Sequence, residues 1–175
     1  MPLPRSIALL AAALTALLLW WPGSAPAGDG PGPTATVVSV GDGDTIRVRQ
    51  DGLLLTVRLA CIDAPELDQG SEGRRSRNSL SLRLPQGRSV RLRVVDRDHY
   101  GRLVAEVFSD TNLNLAQVED GQAFVYSRFV NQCDAAEYLA AEFRASRHRF
   151  GVWQQQGGLQ RPWDFRRQRR NATRK

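Results

Sequence analysis

A chain of 175 residues, 42% hydrophobic and 24% charged, has enough apolar material for one domain with its own core and short appendages. Its net charge of +6 suggests a polyanionic partner, yet residues 161–175 alone hold six Arg and one Lys against one Asp, while residues 28–160 hold 16 basic and 17 acidic side chains. Bulk charge on the body is thereby excluded as a means of holding phosphate, which must be gripped by individually placed residues.

At the N-terminus Arg5 precedes an apolar run from Ile7 to Trp21, followed by Pro22-Gly-Ser-Ala25-Pro-Ala27, with small residues where a signal peptidase reads. The spacing predicts cleavage after Ala27 and a secreted or periplasmic protein. A retained membrane anchor is the alternative, but the run is shorter than the roughly 20 residues a spanning helix needs. A Gly/Pro linker, 28–33, leads into the domain, expected over 34–160.

Thr34 to Val40 is alternating and β-branched and reads as a first strand, with Gly41-Asp-Gly-Asp44 as a turn. Thr45 to Arg49 alternates Ile46 and Val48 against arginines, and after Gln50-Asp51-Gly52 the run Leu53 to Cys61 completes a hairpin. Leu67 to Gly73 is expected to be a mobile loop, and Arg74 to Leu84 a helix stopped by Pro85-Gln-Gly87. Val90 to Val95 and Leu103 to Phe108 are the fourth and fifth strands. Asn112 caps a short helix ending near Gly121, and Asp134 with Glu137 caps another from Ala135 to about Arg149, with Leu139 and Phe143 on its apolar stripe. Five short strands with interposed helices suit a small, partly open β-barrel of α+β class. The basic tail from Arg161 has no apolar period. It either packs Trp163 and Phe165 on the body and then frays, or grips nucleic acid with arginines and rings.

Cys61 and Cys133 are the only cysteines, and in an exported chain they are expected to pair. The alternative is a buried strand thiol and a free loop thiol. Closing so long a loop would stabilise the fold by roughly 4–5 kcal/mol in the loop-entropy picture.

The chemistry concentrates in Arg58-Leu-Ala-Cys-Ile-Asp-Ala-Pro-Glu66, a fixed cation and two carboxylates at the end of an apolar strand. Val57 and Leu59 face the core, Arg58 faces the other way, and Pro65 forces Ala64 to be extended. With Asp42, Asp44 and Arg102 in similar settings, the chain combines hard oxygen ligands with permanent cations, the set that phosphodiester hydrolysis requires. His99 and His148 have no ligand partner at a useful spacing.

Gly41-Asp-Gly-Asp-Thr45, the Arg58–Glu66 run, Asp98-His-Tyr-Gly-Arg102, Asn114-Leu-Ala-Gln-Val118 and Gly151-Val-Trp153 together resemble the staphylococcal nuclease family of calcium-dependent thermonucleases. The resemblance spans about Thr34 to Trp153. It implies an OB-fold five-stranded barrel with about three helices, and a monomeric endonuclease acting on single-stranded DNA and RNA. It further implies that Asp44, Asp63 and the Ala64 carbonyl hold Ca²⁺, that Glu66 is the general base or water-orienting group, and that Arg58 and Arg102 clasp the phosphate. Tyr100 and Tyr126 then line the nucleotide pocket, and Asp42 steadies a metal-bound water. Ala64 and His99 depart from the family pattern, the latter at a position where a lysine often precedes the tyrosine. Two rival readings are a non-catalytic OB module that binds single strands, and a metal-stabilised envelope domain. The first has no need of Arg58, Asp63, Glu66 and Arg102 together, and the second uses the acids but leaves both arginines idle.

Overall fold

The computed structural model describes residues 34–174, so the expected leader and linker lie outside the described residues. Five strands close a barrel in the order β1 (Thr34–Val40), β2 (Thr45–Gln50), β3 (Leu53–Leu59), β6 (Leu103–Phe108) and β5 (Ser89–Arg97). Every junction is antiparallel except β3 with β6, which run parallel. The alternation read from β2 holds, since Ile46 and Val48 are wholly buried between exposed arginines. Val37, Val57, Leu59, Leu92 and Val107 join them inside the barrel. In β5 the pattern breaks at a bulge between Val94 and Asp96, which leaves Val94 exposed and turns Val95 toward the core.

Two expected boundaries shift for local reasons. β3 ends at Leu59 because Cys61 takes a left-handed φ of 66°, redirecting the chain into the two-residue strand β4 (Ile62–Asp63). β4 pairs with β7 (Phe124–Val125), setting Asp63 opposite Phe124. The loop expected over Leu67–Gly73 is mostly helix, since α1 runs Gly70–Arg83. Gly73 allows this: a Cβ there would lie 1.9 Å from the Glu66 carbonyl oxygen, so the helix lies flush against the Glu66 backbone only without a side chain.

Helix α2 (Leu113–Glu119) is capped by Asn112, whose side chain accepts from the amides of Asn114 and Leu115. Helix α3 (Ala135–Arg147) is capped by Asp134, which accepts from the Glu137 amide. Its buried face is not the expected one. Leu139 and Phe143 are exposed, and the helix packs through Tyr138, Ala141 and Ala145 instead. Two alanines let α3 approach α2 closely, and the Tyr138 hydroxyl donates to Glu106 (2.6 Å) beneath it. Cys61 and Cys133 form a disulfide, as expected, tying the β3–β4 turn to the segment before α3.

Residues 162–173 form a fourth helix, α4 (Pro162–Thr173), where a fraying tail was one expectation. The expected aromatic anchoring is present, with Trp163 stacked on Tyr126 at 5.1 Å. Among the described residues no helix is long and apolar enough to cross a membrane.

Candidate active site

At one mouth of the barrel the turn after β1, the end of β3, the β4 strand and the β5–β6 turn surround a pocket of about 500 Å³. Asp42, Asp44, Arg58, Ala64, Glu66, Tyr100, Arg102 and Tyr126 all line it, so residues up to 84 positions apart in sequence share one cavity. Arg58 and Arg102 therefore open onto the same space. Asp63 lies directly beneath, fully buried and bonded to Arg58.

The Asp42–Asp44 turn is held from below. Gln117 on α2 donates to the Gly43 carbonyl (2.9 Å) and to the Ser76 carbonyl (3.2 Å) on α1, binding both helices to the turn. A Cβ on Gly43 would sit 1.8 Å from the Ser76 hydroxyl oxygen and 2.7 Å from the Ala64 Cβ. Asn114, also fully buried, accepts from the Val107 amide and donates to the carbonyls of Ala60 and Ala105. These amides fix α2 to the end of β3, where Arg58 emerges. Gln117 falls within the Asn114–Val118 run that carries the family resemblance, but its contacts and those of Ser76 escape a reading by local pattern, because a buried polar side chain inside a helix looks like an ordinary surface residue in sequence.

Arg58 spans the two buried aspartates. Its terminal nitrogens donate to Asp44 Oδ1 (2.7 Å) and Asp63 Oδ1 (2.6 Å). Asp44 Oδ2 accepts from the Ala64 amide (2.8 Å), which pins the residue expected to offer its carbonyl to a cation. Burial by itself lowers the Arg58 pKa, but the carboxylates of Asp44 and Asp63 outweigh it and raise the value. Burial pushes Asp63 above the ordinary carboxyl value, against the hydrogen bond from Arg166. Burial and the neighbouring Asp44 charge raise Asp42 to about 6.

The second arginine is set differently. Arg102 donates from Nε to Asp98 Oδ2 (2.7 Å), and among the described residues neither of its terminal nitrogens makes a hydrogen bond. Asp98 also accepts from the amides of Tyr100 and Arg102, so one carboxylate shapes the whole turn. Tyr100 is 74% exposed, with the Arg102 guanidinium 5.5 Å from its ring centre, a placement suited to stacking on a ligand more than to core packing. Tyr126 is partly covered by Trp163 and meets Phe129 edge-on at 5.0 Å.

A third guanidinium was not anticipated at this site. Arg166 of α4 donates to Asp63 Oδ2 (2.7 Å), to Asp63 Oδ1 (3.1 Å) and to Glu66 Oε1 (2.7 Å). The sequence signal was the cluster of arginines after residue 160, but nothing local assigns one of them to this pocket.

The donor set of Asp44, Asp63 and the Ala64 carbonyl is all hard oxygen, the chemistry Ca²⁺ takes. In this arrangement both Asp63 oxygens accept from guanidinium groups, and no three acidic, His or Cys side chains among the described residues converge as a metal site. The donors fit a cation in kind, while Asp63 and one oxygen of Asp44 accept from arginine.

Residues 56–155 match the model of the staphylococcal nuclease homologue family. A micrococcal nuclease of Shigella flexneri is 36% identical over 147 residues, covering 78% of this chain and 82% of that protein. A probable staphylococcal-like nuclease of Oryza sativa subsp. japonica is 35% identical over 118 residues, 66% of this chain but 29% of the longer rice protein. An uncharacterized endonuclease of Escherichia coli O157:H7 is 34% identical over 132 residues, 74% of this chain and 82% of its own length. With the closed five-stranded barrel and these matches over most of its length, the chain belongs to the family of staphylococcal nuclease homologues.

Proposed function

We propose that this protein is an exported, Ca²⁺-dependent endonuclease that hydrolyses phosphodiester bonds of single-stranded DNA and RNA with low sequence specificity. The observation that carries this reading is that Arg58 and Arg102 open onto the same pocket as Asp42, Asp44 and Glu66, directly above Asp63. Membership of a nuclease family supports it.

Asp44, Asp63 and the Ala64 carbonyl would hold the ion, which when bound offsets the negative charge that builds on the phosphate oxygens. Arg102, whose terminal nitrogens have no partner among the described residues, is placed to receive one phosphate oxygen, and Arg58 another once it releases an aspartate. A guanidinium presents paired donors at fixed spacing and stays charged throughout. Glu66, partly exposed at the pocket rim, orients the attacking water and takes its proton. As the water oxygen bonds to phosphorus, the bond to the leaving 5′ oxygen breaks, the phosphate remains on the 3′ side, and the leaving oxygen takes a proton from solvent. Tyr100 and Tyr126 stack against the flanking bases or sugars, which tolerates any sequence and favours strands whose bases are unpaired.

The commitment of Asp63 and Glu66 to Arg166 favours a second reading, a single-strand binding module that does not cut. One experiment separates the two. Purified protein is incubated with heat-denatured DNA in Ca²⁺, in a calcium chelator, and as Glu66→Gln. The nuclease reading expects cleavage only by wild type in Ca²⁺, with Glu66→Gln slower by about a hundredfold or more. Undiminished cleavage in chelator removes the metal assignment, undiminished cleavage by Glu66→Gln removes the base, and a mobility shift without cutting establishes the binding module.

A further inference from the structure

Helix α4 is docked at its first turn by contacts that owe nothing to the carboxylates. The Arg161 guanidinium lies against two rings, 4.1 Å from the centre of Phe124 and 4.6 Å from that of Trp153. Pro162 is buried at the first helical position, Trp163 stacks on Tyr126, and the Gln160 carbonyl accepts from Gln69 Nε2 (2.5 Å). With that end held, one further turn brings Arg166 over Asp63 and Glu66, and Arg169 pairs with Asp68 beyond it.

Arg166 therefore meets the groups that the calcium reading assigns to the cation and the attacking water. A guanidinium carries only donors and a permanent positive charge, so it takes up lone pairs of these carboxylates and repels a second cation drawn to the same oxygens. Asp63 has no exposed surface, and a buried carboxylate without a counter-charge is strongly unfavourable. Arg58 already supplies one positive charge to Asp63, and Arg166 adds a second while also pairing with Glu66.

We propose that Arg166 is a built-in competitor for the catalytic cation: it neutralises Asp63 and Glu66 while no ion is bound, and its withdrawal admits the ion. The inference rests on the calcium reading of the site. Withdrawal does not remove Arg166 from the reaction path, because Arg166 and Arg170 line the same pocket as Arg58 and Arg102. A nucleic-acid phosphate in that pocket attracts the displaced guanidinium, so substrate favours the open arrangement and raises cation affinity. By linkage the cation raises substrate affinity by the same factor.

The test is calorimetric titration of Ca²⁺ into the nucleic-acid-free full chain as wild type, R166Q, R166K and R167Q. Arg167 pairs with Asp164 on the exposed side of α4, so R167Q removes the same charge without the contact. If the open arrangement is about a tenth of the wild-type population or less, R166Q binds Ca²⁺ at least about tenfold more tightly. R166K, which keeps a charge but loses the paired donors, falls between, and R167Q matches wild type. Should R166Q fail to fold by circular dichroism, R166K against R167Q makes the same comparison. Equal, measurable affinities across the set overturn the competitor while leaving the calcium reading intact. Absence of any Ca²⁺ binding in every variant, with cleavage persisting in chelator, overturns the calcium reading and the competitor together.

Discussion

Replacing Arg58 with Gln should destabilise the protein by about 3 kcal/mol at neutral pH in the presence of chelator, apart from any effect on turnover. The Arg58 side chain is 17% exposed and its two partners 4% and 0%, so solvent screening reduces the interaction little. Deleting one member of a buried charge pair costs roughly 3–5 kcal/mol. An orphaned carboxylate can escape by taking a proton, which from an ordinary value near 4 to pH 7 limits the cost to about 4 kcal/mol per group. Asp44 keeps the Ala64 amide and Asp63 keeps Arg166, which places the loss at the lower end. The pH dependence has a definite sign. Burial already raises Asp63, and losing Arg58 raises it further, so the ionised form is the one the fold disfavours. The R58Q deficit is therefore greatest at alkaline pH, where Asp63 is ionised, and shrinks as pH falls through the raised value. Urea unfolding of both proteins in chelator, followed by circular dichroism at several pH values, measures it. A deficit below about 0.5 kcal/mol, or one that grows on acidification, would show that Arg58 does not bridge the two aspartates.

Gly43→Ala places a methyl against Ser76 and Ala64, neither of which has a flexible end to move aside, and should cost about 1–3 kcal/mol while shifting Asp42 and Asp44 enough to lower cleavage at least tenfold. A fully active, equally stable G43A would mean that the turn is not wedged against α1. Cys133→Ser opens the 72-residue loop and should lower stability by about 2–4 kcal/mol in denaturant titration. The same loss should appear when wild type is unfolded under reducing conditions, and equal midpoints with and without reductant would contradict it.

Much of this architecture was legible because its causes are local. Alternation in β2, the Asn112 and Asp134 caps and the turn at Gly41–Asp44 each arise from residues within a few positions of one another. Pairing of Cys61 with Cys133 followed from there being two cysteines in a chain expected to leave the cytoplasm. The exposed stripe on α3 was misread for a physical reason. Leu139 and Phe143 have the hydrophobicity of a buried face, but close approach to α2 selects the smaller Ala141 and Ala145, and the Glu106 carboxylate beneath selects the Tyr138 hydroxyl.

By itself the sequence determined that a permanent cation and two carboxylates, Arg58, Asp63 and Glu66, lie close together in the chain, around the turn that joins β3 to β4. Only the tertiary structure decided which groups from elsewhere in the chain those side chains meet. Gln117 holds the Asp42–Asp44 turn across 74 residues, and Arg166 reaches Asp63 across 103. Contacts of that span depend on how α2 and α4 pack on the barrel, and a guanidinium is drawn to whichever buried carboxylate the packing brings within reach, whatever its distance along the chain.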